Sequence, residues 1–196
     1  MALVYVFHIA FYALFVIRKL GPRMPAAPVA PAPAASDPGA PSAPHARALI
    51  AMHVLAFSVL YFGLGRAVLS ERGSRFLFPS PPVLGGAVMV AACALLVSAL
   101  RVFQSWRLLA RIERGHQLCT AGPFRFVRHP IYASMDLLAL GTFLWAPSVI
   151  VMAGALLIAL SGDLRARAEE RLLADVFGDE YRAYCRRAAR TLPGLY

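Results

Sequence analysis

Charged residues are scarce in this chain. Asp, Glu, Lys and Arg make up 15% of its 196 residues, whereas 59% are hydrophobic. A soluble domain usually has about 25% charged and about 45–50% apolar residues. Lysine is nearly absent, because Lys19 is the only lysine among the 20 basic residues. The composition therefore indicates a membrane protein rather than a soluble globular domain.

Two further absences narrow the class of protein. The three cysteines, Cys93, Cys119 and Cys185, are far apart in the sequence and form no CxxC pair, so neither a disulfide framework nor a zinc site is indicated. Cys93 lies inside an apolar run and is interpreted as a small packing residue. The chain also has no strand-rich segment and no GxGxxG motif, which excludes a soluble domain of the dinucleotide-binding type.

Long apolar runs are abundant by contrast. A membrane-spanning helix needs roughly 20 mostly apolar residues, with a range of about 17–25. The predicted fold class is all-α, a polytopic membrane helical bundle with about five transmembrane helices. The last two are short and predict a tight helical hairpin. The five runs are Met1–Ile17, Ala48–Leu69, Pro82–Leu100, Ile131–Trp145 and Pro147–Gly162.

Both ends of the chain have further features. In the first run the charges of Arg18 and Lys19 follow the apolar core, which is the reverse of a secretory signal and favours a retained helix over a cleaved one. Residues 164–190 place apolar and charged side chains at helical spacing, which predicts an amphipathic cytoplasmic helix at the membrane surface. Gly178 is expected to break or kink that helix.

The basic residues are distributed unequally between the two sides of the membrane on which the predicted loops lie. Seventeen of the 20 fall in connections that can share one side of the membrane, and only Arg66, Arg72 and Arg75 fall on the other side. The positive-inside rule accounts for this asymmetry, so the net charge of +10 needs no nucleic-acid partner. It predicts an external N-terminus and a cytoplasmic C-terminus. The preference for arginine over lysine, with abundant alanine, is a codon-bias hint of a GC-rich bacterial genome, so the expected location is the bacterial inner membrane.

The chain is predicted to have three parts. Residues 1–20 form an appended transmembrane helix, and residues 21–47 form a Pro/Ala-rich linker that lacks the material for a core and favours extended conformations. Residues 48–196 form the main domain, and its motif-bearing core is 101–196. Within this domain His53 is a polar residue in an apolar helix. Such a residue is either a functional group or one that is hydrogen-bonded to a neighbour.

Two sequence blocks suggest the chemistry. The first begins at Leu118, contains Gly122-Pro123-Phe124 and ends in Arg128-His129-Pro130-Ile131-Tyr132. The second combines Arg165, Glu169-Glu170 and Phe177-Gly178-Asp179-Glu180-Tyr181 with Tyr184. In this order, separated by a short helical hairpin, the blocks resemble the isoprenylcysteine carboxyl methyltransferase family and its relatives among the phospholipid methyltransferases. The resemblance covers roughly residues 82–196.

The resemblance implies a membrane methyltransferase that uses S-adenosyl-L-methionine. It implies that Glu169 is an acidic cofactor contact and that Arg165 is a catalytic residue near the substrate. These two residues are four positions apart and share one helix face. His129 is also the expected proton acceptor for an amine nucleophile. The other implied cofactor-binding residues are His116, Gln117, Leu118, Cys119, Phe124, His129, Pro130, Ile131 and Tyr132.

Three positions depart from the family pattern, and the role of a fourth, Asp136, is left open between several alternatives. Ser134 stands where glycine is common, Phe124 lacks a hydroxyl group, and Leu109 replaces a polar residue that commonly contacts the cofactor. Asp136 lies about 9 Å into the predicted fourth helix, at about 1.5 Å per residue. It is expected to pair with Arg165, to line the substrate path or to form a local structural ion pair.

The expected substrate is a lipophilic small molecule or a lipid, and membrane lipids are the other expected partners. The nucleophile is left open between a carboxylate, a lipid amine and a thiol. The alternative function is a non-catalytic membrane scaffold or docking protein that keeps the fold.

Overall fold

The computed structural model describes residues 2–20, 45–69, 82–103 and 118–192. These residues form five α-helices: α1 (Ala2–Leu20), α2 (Ala46–Leu69), α3 (Pro82–Val102), α4 (Pro130–Trp145) and α5 (Val149–Cys185). A short 3₁₀ helix, Gly122–Arg125, precedes α4. Within the described ranges no strand occurs, only an isolated parallel bridge between Val127 and Ala189. The all-α prediction is confirmed for this part of the chain, whereas most of the linker 21–47 lies outside it.

Three helices are long and apolar enough to cross a membrane by length and composition, namely α2, α3 and α5. The apolar part of α1, Ala2–Arg18, is shorter, and α4 has 16 residues. The chain is an integral membrane protein with at least these three candidate spans. That α1 and α4 also cross the membrane stays a prediction.

The predicted hairpin is present, but its second arm differs from the prediction. Ser148 caps the start of α5 by accepting a hydrogen bond from the backbone N–H of Val151 at 3.3 Å. From there the helix runs for 37 residues, so the predicted fifth span and the predicted amphipathic helix are parts of one helix. At about 1.5 Å per residue α5 is about 55 Å long, well beyond the bilayer core of about 30 Å. A single span therefore needs only part of α5.

Gly178 marks the kink expected near the end of α5. Its backbone angles, φ 52° and ψ −122°, are not helical. A positive φ of this kind strains residues that have a Cβ atom, so glycine is the residue that tolerates the position. The last turns of α5 can thereby change direction, toward the loop that precedes α4.

The helices pack as antiparallel pairs in close contact. Gly154 of α5 lies against Leu60 of α2, where an added Cβ atom would be 2.6 Å from the Leu60 Cα. Gly141 of α4 lies similarly against α3, where an added Cβ atom would be 2.7 Å from the Met89 Cγ. Small residues at such crossings let helix backbones approach closely within a membrane. They set the register of α2 against α5 and of α3 against α4.

The first helix packs into the same core. Val4 and Phe11 are fully buried in it. His8 is also buried, and its two ring nitrogens lie 2.7 Å from the Tyr61 hydroxyl of α2 and 2.7 Å from the Thr142 hydroxyl of α4. The helix predicted as an appended element is thus held to two other helices by polar contacts as well as by packing.

The glycine contact generates a prediction about stability. We expect Gly154→Ala to lower the free energy of unfolding by about 1–3 kcal/mol, because its methyl group meets backbone atoms that can move only together with α2. Gly65→Ala is the matched control, since nothing lies within 4 Å of its added Cβ atom. Thermal unfolding in detergent measures both variants. Equal stability of the two variants would contradict the close α2–α5 contact.

Candidate functional site

The predicted site residues come from three segments: the loop before α4, the first turn of α4 and the middle of α5. Pro130 begins α4, where its missing N–H group needs no helical partner. The carbonyl of His129 accepts the first hydrogen bond of the helix, from the N–H of Ala133 at 3.0 Å. The His129 side chain makes no capping hydrogen bond. It is directed instead toward the two glutamates of α5.

The chain after α5 returns to this loop and pairs with it. The backbone N–H of Arg128 donates to the carbonyl of Ala189 at 2.7 Å, and the N–H of Ala189 donates to the carbonyl of Phe126 at 3.0 Å. The N–H of His129 donates to the carbonyl of Arg190 at 3.0 Å. Residues 186–192, which we call the tail strap, therefore fix the backbone position of His129.

Glu170 is the centre of the ion pairs beneath the tail strap. Its Oε1 accepts from Arg128 Nε at 2.9 Å, and its Oε2 accepts from Arg190 Nε at 3.0 Å. Arg128 also donates to the carbonyls of Cys185 and Ala188. Burial raises the pKa of Glu170, but the hydrogen bonds and charges of His129, Arg190 and Arg128 outweigh this and lower it to about 2. Glu170 thus stays ionised and joins α5, the loop and the tail strap.

Glu169 has a more open environment than Glu170. Its side chain is 24% exposed, against 14% for Glu170. Its Oε1 accepts a hydrogen bond from the Tyr132 hydroxyl, and its Oε2 lies 3.6 Å from His129 Nδ1. Part of this carboxylate therefore remains available to a ligand.

His129 lies between the two carboxylates. Its Nε2 is 3.5 Å from Glu170 Oε1, and both carboxylate separations are those of ion pairs rather than of short hydrogen bonds. Burial lowers the pKa of the imidazole, but the two glutamates outweigh burial and raise it above the usual histidine value. His129 is accordingly stabilised as a cation.

Tyr132 joins the remaining groups. Its ring stacks on the His129 ring, with centroids 5.7 Å apart. The guanidinium carbon of Arg165, on α5, lies 5.1 Å from the centroid of the Tyr132 ring in a cation–π contact. Arg165 is 8% exposed. The structure thus brings together four of the predicted site residues, His129, Tyr132, Arg165 and Glu169. We call them the motif cluster.

The other predicted residues occupy different places. Phe124 is buried with its ring 5.4 Å from that of Phe103, and Cys119 lies near the Val102 carbonyl. Leu118 packs against Tyr181 and Tyr184 of the bent end of α5. Pro130 and Ile131 are buried in the first turn of α4. His116, Gln117 and Leu109 lie outside the described residues.

The departures from the family pattern have local compensations. Ser134, where glycine is common, is fully buried and donates its hydroxyl proton to the Ile131 carbonyl at 2.6 Å. Phe124 has no hydroxyl group, but its carbonyl accepts a hydrogen bond from the Tyr184 hydroxyl at 2.7 Å. Asp136 Oδ1 is buried without a hydrogen-bond partner among the described residues. It lies against Gly162, and its pairing with Arg165 stays a prediction.

Sequence reasoning did not assign a role to the tail strap. Arg128 and Glu170 entered only as members of the two motif blocks, and Arg190 only as one of the basic residues. The available signal was a pair of adjacent glutamates, which a helix directs about 100° apart, so that the two can have different partners. No group of three or more His, Cys, Asp or Glu side chains in the described ranges could hold a metal ion.

The groups present fit S-adenosylmethionine, the cofactor that the resemblance implies. The exposed part of Glu169 can accept hydrogen bonds from hydroxyl or amino groups, and the aromatic ring of Tyr132 lies beside this carboxylate. This fit concerns the chemistry of the described residues alone, since the loop with His116 and Gln117 lies outside them.

Comparison with known proteins adds one finding. The model of the phospholipid methyltransferase family matches residues 81–180, which include both halves of the motif cluster. No curated protein sequence matches the chain.

The ion pairs of Glu170 generate a prediction about pH. We expect Glu170→Gln to lower stability at neutral pH by about 2 kcal/mol, because Arg128 loses its carboxylate partner and Arg190 keeps that of Asp163. A carboxylate with a depressed folded-state pKa stabilises the fold above its unfolded value of 4.5, and that stabilisation disappears as the pH falls toward about 2. The difference between wild type and variant should therefore be complete at pH 7 and shrink below pH 4.5.

Thermal unfolding in detergent between pH 7 and pH 3 measures this difference. Glu180→Gln is the matched control, since Glu180 is an exposed glutamate on the same helix and should have no effect. A stability difference that does not change with pH would contradict the role of the Glu170 charge.

Proposed function

The chain belongs to the phospholipid methyltransferase family, and from this membership we propose that it transfers a methyl group from S-adenosyl-L-methionine to a lipophilic or amphiphilic acceptor at one face of the membrane. The family indicates a membrane methyltransferase in general. The finer proposal depends on the motif cluster, in which an accessible carboxylate, a buried arginine and a buried imidazole surround one tyrosine ring.

The position of the motif cluster supports this function. It lies at the start of α4 and beyond the apolar first part of α5, so a polar cofactor can approach from water and an apolar acceptor from lipid. When bound, the cofactor supplies an activated methyl group on a sulfonium. The protein then has to hold the reactants in line and exclude water, and both requirements depend on rigid positioning.

The side chains of the motif cluster suggest distinct roles. Glu169 would hold the cofactor. The hydrogen bond that the Tyr132 hydroxyl donates to Glu169 would keep the carboxylate oriented. Arg165 would orient an anionic group of the acceptor, such as a phosphate or a carboxylate. His129 is better suited to balancing the two glutamates than to accepting a proton, because their charges favour its protonated form. Its catalytic role stays a prediction.

The acceptor and the membrane orientation belong to the same proposal. The acceptor nucleophile is a carboxylate, a lipid amine or a thiol. The distribution of basic residues supports a cytoplasmic site in a bacterial inner membrane. The alternative is a non-catalytic membrane scaffold that keeps the fold, and cofactor binding separates the two functions.

Cofactor binding provides the direct test. We expect Glu169→Ala to weaken binding of S-adenosylmethionine by at least tenfold while the protein stays folded. Hydrogen bonds to charged groups contribute about 1.5–3 kcal/mol, and about 1.4 kcal/mol corresponds to tenfold in affinity. Isothermal calorimetry of purified protein in detergent measures the affinity, with Glu180→Ala as the matched control.

Wild-type affinity in the Glu169→Ala variant would refute the assignment of Glu169. An absence of binding in the wild type would favour the scaffold function. Transfer of labelled methyl groups from S-adenosylmethionine into vesicles of a total lipid extract, followed by identification of the labelled product, then determines the acceptor.

A further inference from the structure

Arg190 of the tail strap lies beyond residues 81–180, which the family model matches. Its guanidinium connects two carboxylates of α5. Nε and Nη2 each lie 3.0 Å from Glu170 Oε2, and Nη1 lies 3.1 Å from Asp163 Oδ1. We call these contacts the arginine clamp. The clamp attaches the tail strap to α5 at two points instead of one.

The two points of the arginine clamp enclose the functional segment of α5. Asp163 and Glu170 are seven residues apart, so they share one face of the helix about 10 Å apart along its axis. Arg165 and Glu169 lie between them in sequence and point from other faces. Adjacent residues of a helix point about 100° apart, so even a partial rotation of this segment would turn Glu169 away from Tyr132. Attachment at two points restricts such a rotation.

The arginine clamp is partly shielded from solvent. The exposed fraction is 16% for the Arg190 side chain, 14% for Glu170 and 30% for Asp163. The pair of Arg182 with Asp179, near the end of the same helix, is 59% and 96% exposed and is of the kind that contributes little. Partly buried pairs are screened much less than exposed ones. The clamp is therefore able to hold the tail strap, whereas the exposed pair is not.

The tail strap needs such an attachment because its backbone pairing is short. The pairing includes three backbone hydrogen bonds to the loop before α4, and an isolated pairing of two strands is marginally stable at best in water. Arg128 fixes the start of the strap through the carbonyls of Cys185 and Ala188. The arginine clamp fixes its end, at the residue whose carbonyl accepts from the N–H of His129.

We propose that Arg190 is a positioning residue for the proposed reaction. Through the arginine clamp it holds His129 and α5 in the relative position at which Glu169 binds the cofactor. This role rests on the proposed function. Arg190 acts on Glu169 through Glu170, on the adjacent position of α5, and through His129, whose Nδ1 lies 3.6 Å from Glu169 Oε2. The cofactor site of this chain thus depends on a segment beyond the family match.

Hydrogen exchange of the protein without cofactor tests the arginine clamp directly. The amides of Arg128, His129 and Ala189 donate the hydrogen bonds of the strap pairing and should exchange slowly in the wild type. We expect Arg190→Gln to speed their exchange about tenfold, because the strap then opens locally, and to leave the amides of α2 unchanged. Arg187→Gln, an exposed arginine of the same strap, is the matched control and should have no effect. Unchanged exchange of the three amides in Arg190→Gln would overturn the proposal.

Cofactor affinity measures the consequence for the site. Groups that orient a metal ligand contribute about 10–100-fold in affinity, and we expect the lower end here. Arg190→Gln should weaken calorimetric binding of S-adenosylmethionine about tenfold and raise its KM accordingly, with kcat within about twofold of wild type. Arg190→Lys should weaken binding less, because an ammonium can pair with one carboxylate but lacks the planar fork that reaches both. Arg187→Gln should bind as the wild type does.

A second substitution shows whether Arg190 acts through the clamp. Asp163→Asn removes one of the two attachment points and keeps the pair with Glu170. It should weaken cofactor binding in the wild-type background and add little in the Arg190→Gln background, because both changes break the same contact. Arg167→Gln removes the other ion-pair partner of Asp163 and should leave the affinity unchanged. Additive losses in the double variant would contradict the clamp.

The outcomes separate a positioning role from a merely structural one. A structural role would lower the thermal stability of Arg190→Gln and leave the affinity of the folded protein unchanged. If the wild type binds the cofactor and Arg190→Gln binds it equally well, the role of Arg190 is refuted while the proposed function stands. If the wild type neither binds the cofactor nor transfers methyl groups, the proposed function fails and this role fails with it.

Discussion

The carboxylate of Glu170 is the interaction on which the geometry of the site depends. It pairs with Arg128 from the loop before α4 and with Arg190 from the tail strap. Two segments that are distant in sequence are thereby held at one point of α5. This carboxylate is ionised over the whole physiological range and so keeps its arginine partners in place. The neighbouring Glu169 belongs to the motif cluster instead. One glutamate serves the framework, and the other is the more exposed of the two.

Helix packing sets the positions that these ion pairs then stabilise. The close crossings at Gly154 and Gly141 bring backbones into contact and fix the register between helices. With α2 and α5 antiparallel, the same register places His53 beside Ser161 and leaves Tyr132 between the two helices. The positions of the polar groups inside the bundle therefore depend on small residues one or two helical turns away, which have no reactive side chain.

Much of the fold could be predicted from sequence because its signals are local. Apolar runs are properties of adjacent residues, and they indicated the hairpin and all five helices. The continuity of α5 was missed because residues 164–177 are amphipathic, and a change from apolar to amphipathic composition resembles a boundary although helical hydrogen bonds continue across it. The packing of α1 through His8 was also missed, since its partners are 53 and 134 residues away.

By itself, the sequence determined that this is a membrane protein, where its helices lie and in which order the two motif blocks occur. Hydropathy and motif spacing are properties of the linear sequence. Only the tertiary structure decided which of two adjacent glutamates is the more exposed, that the tail strap positions His129, and that His53 is hydrogen-bonded to Ser161 inside the bundle. Each of these depends on how donors and acceptors from distant segments are matched. That matching exists only after the helices have packed, because a hydrogen bond of about 3 Å requires both partners to be in place.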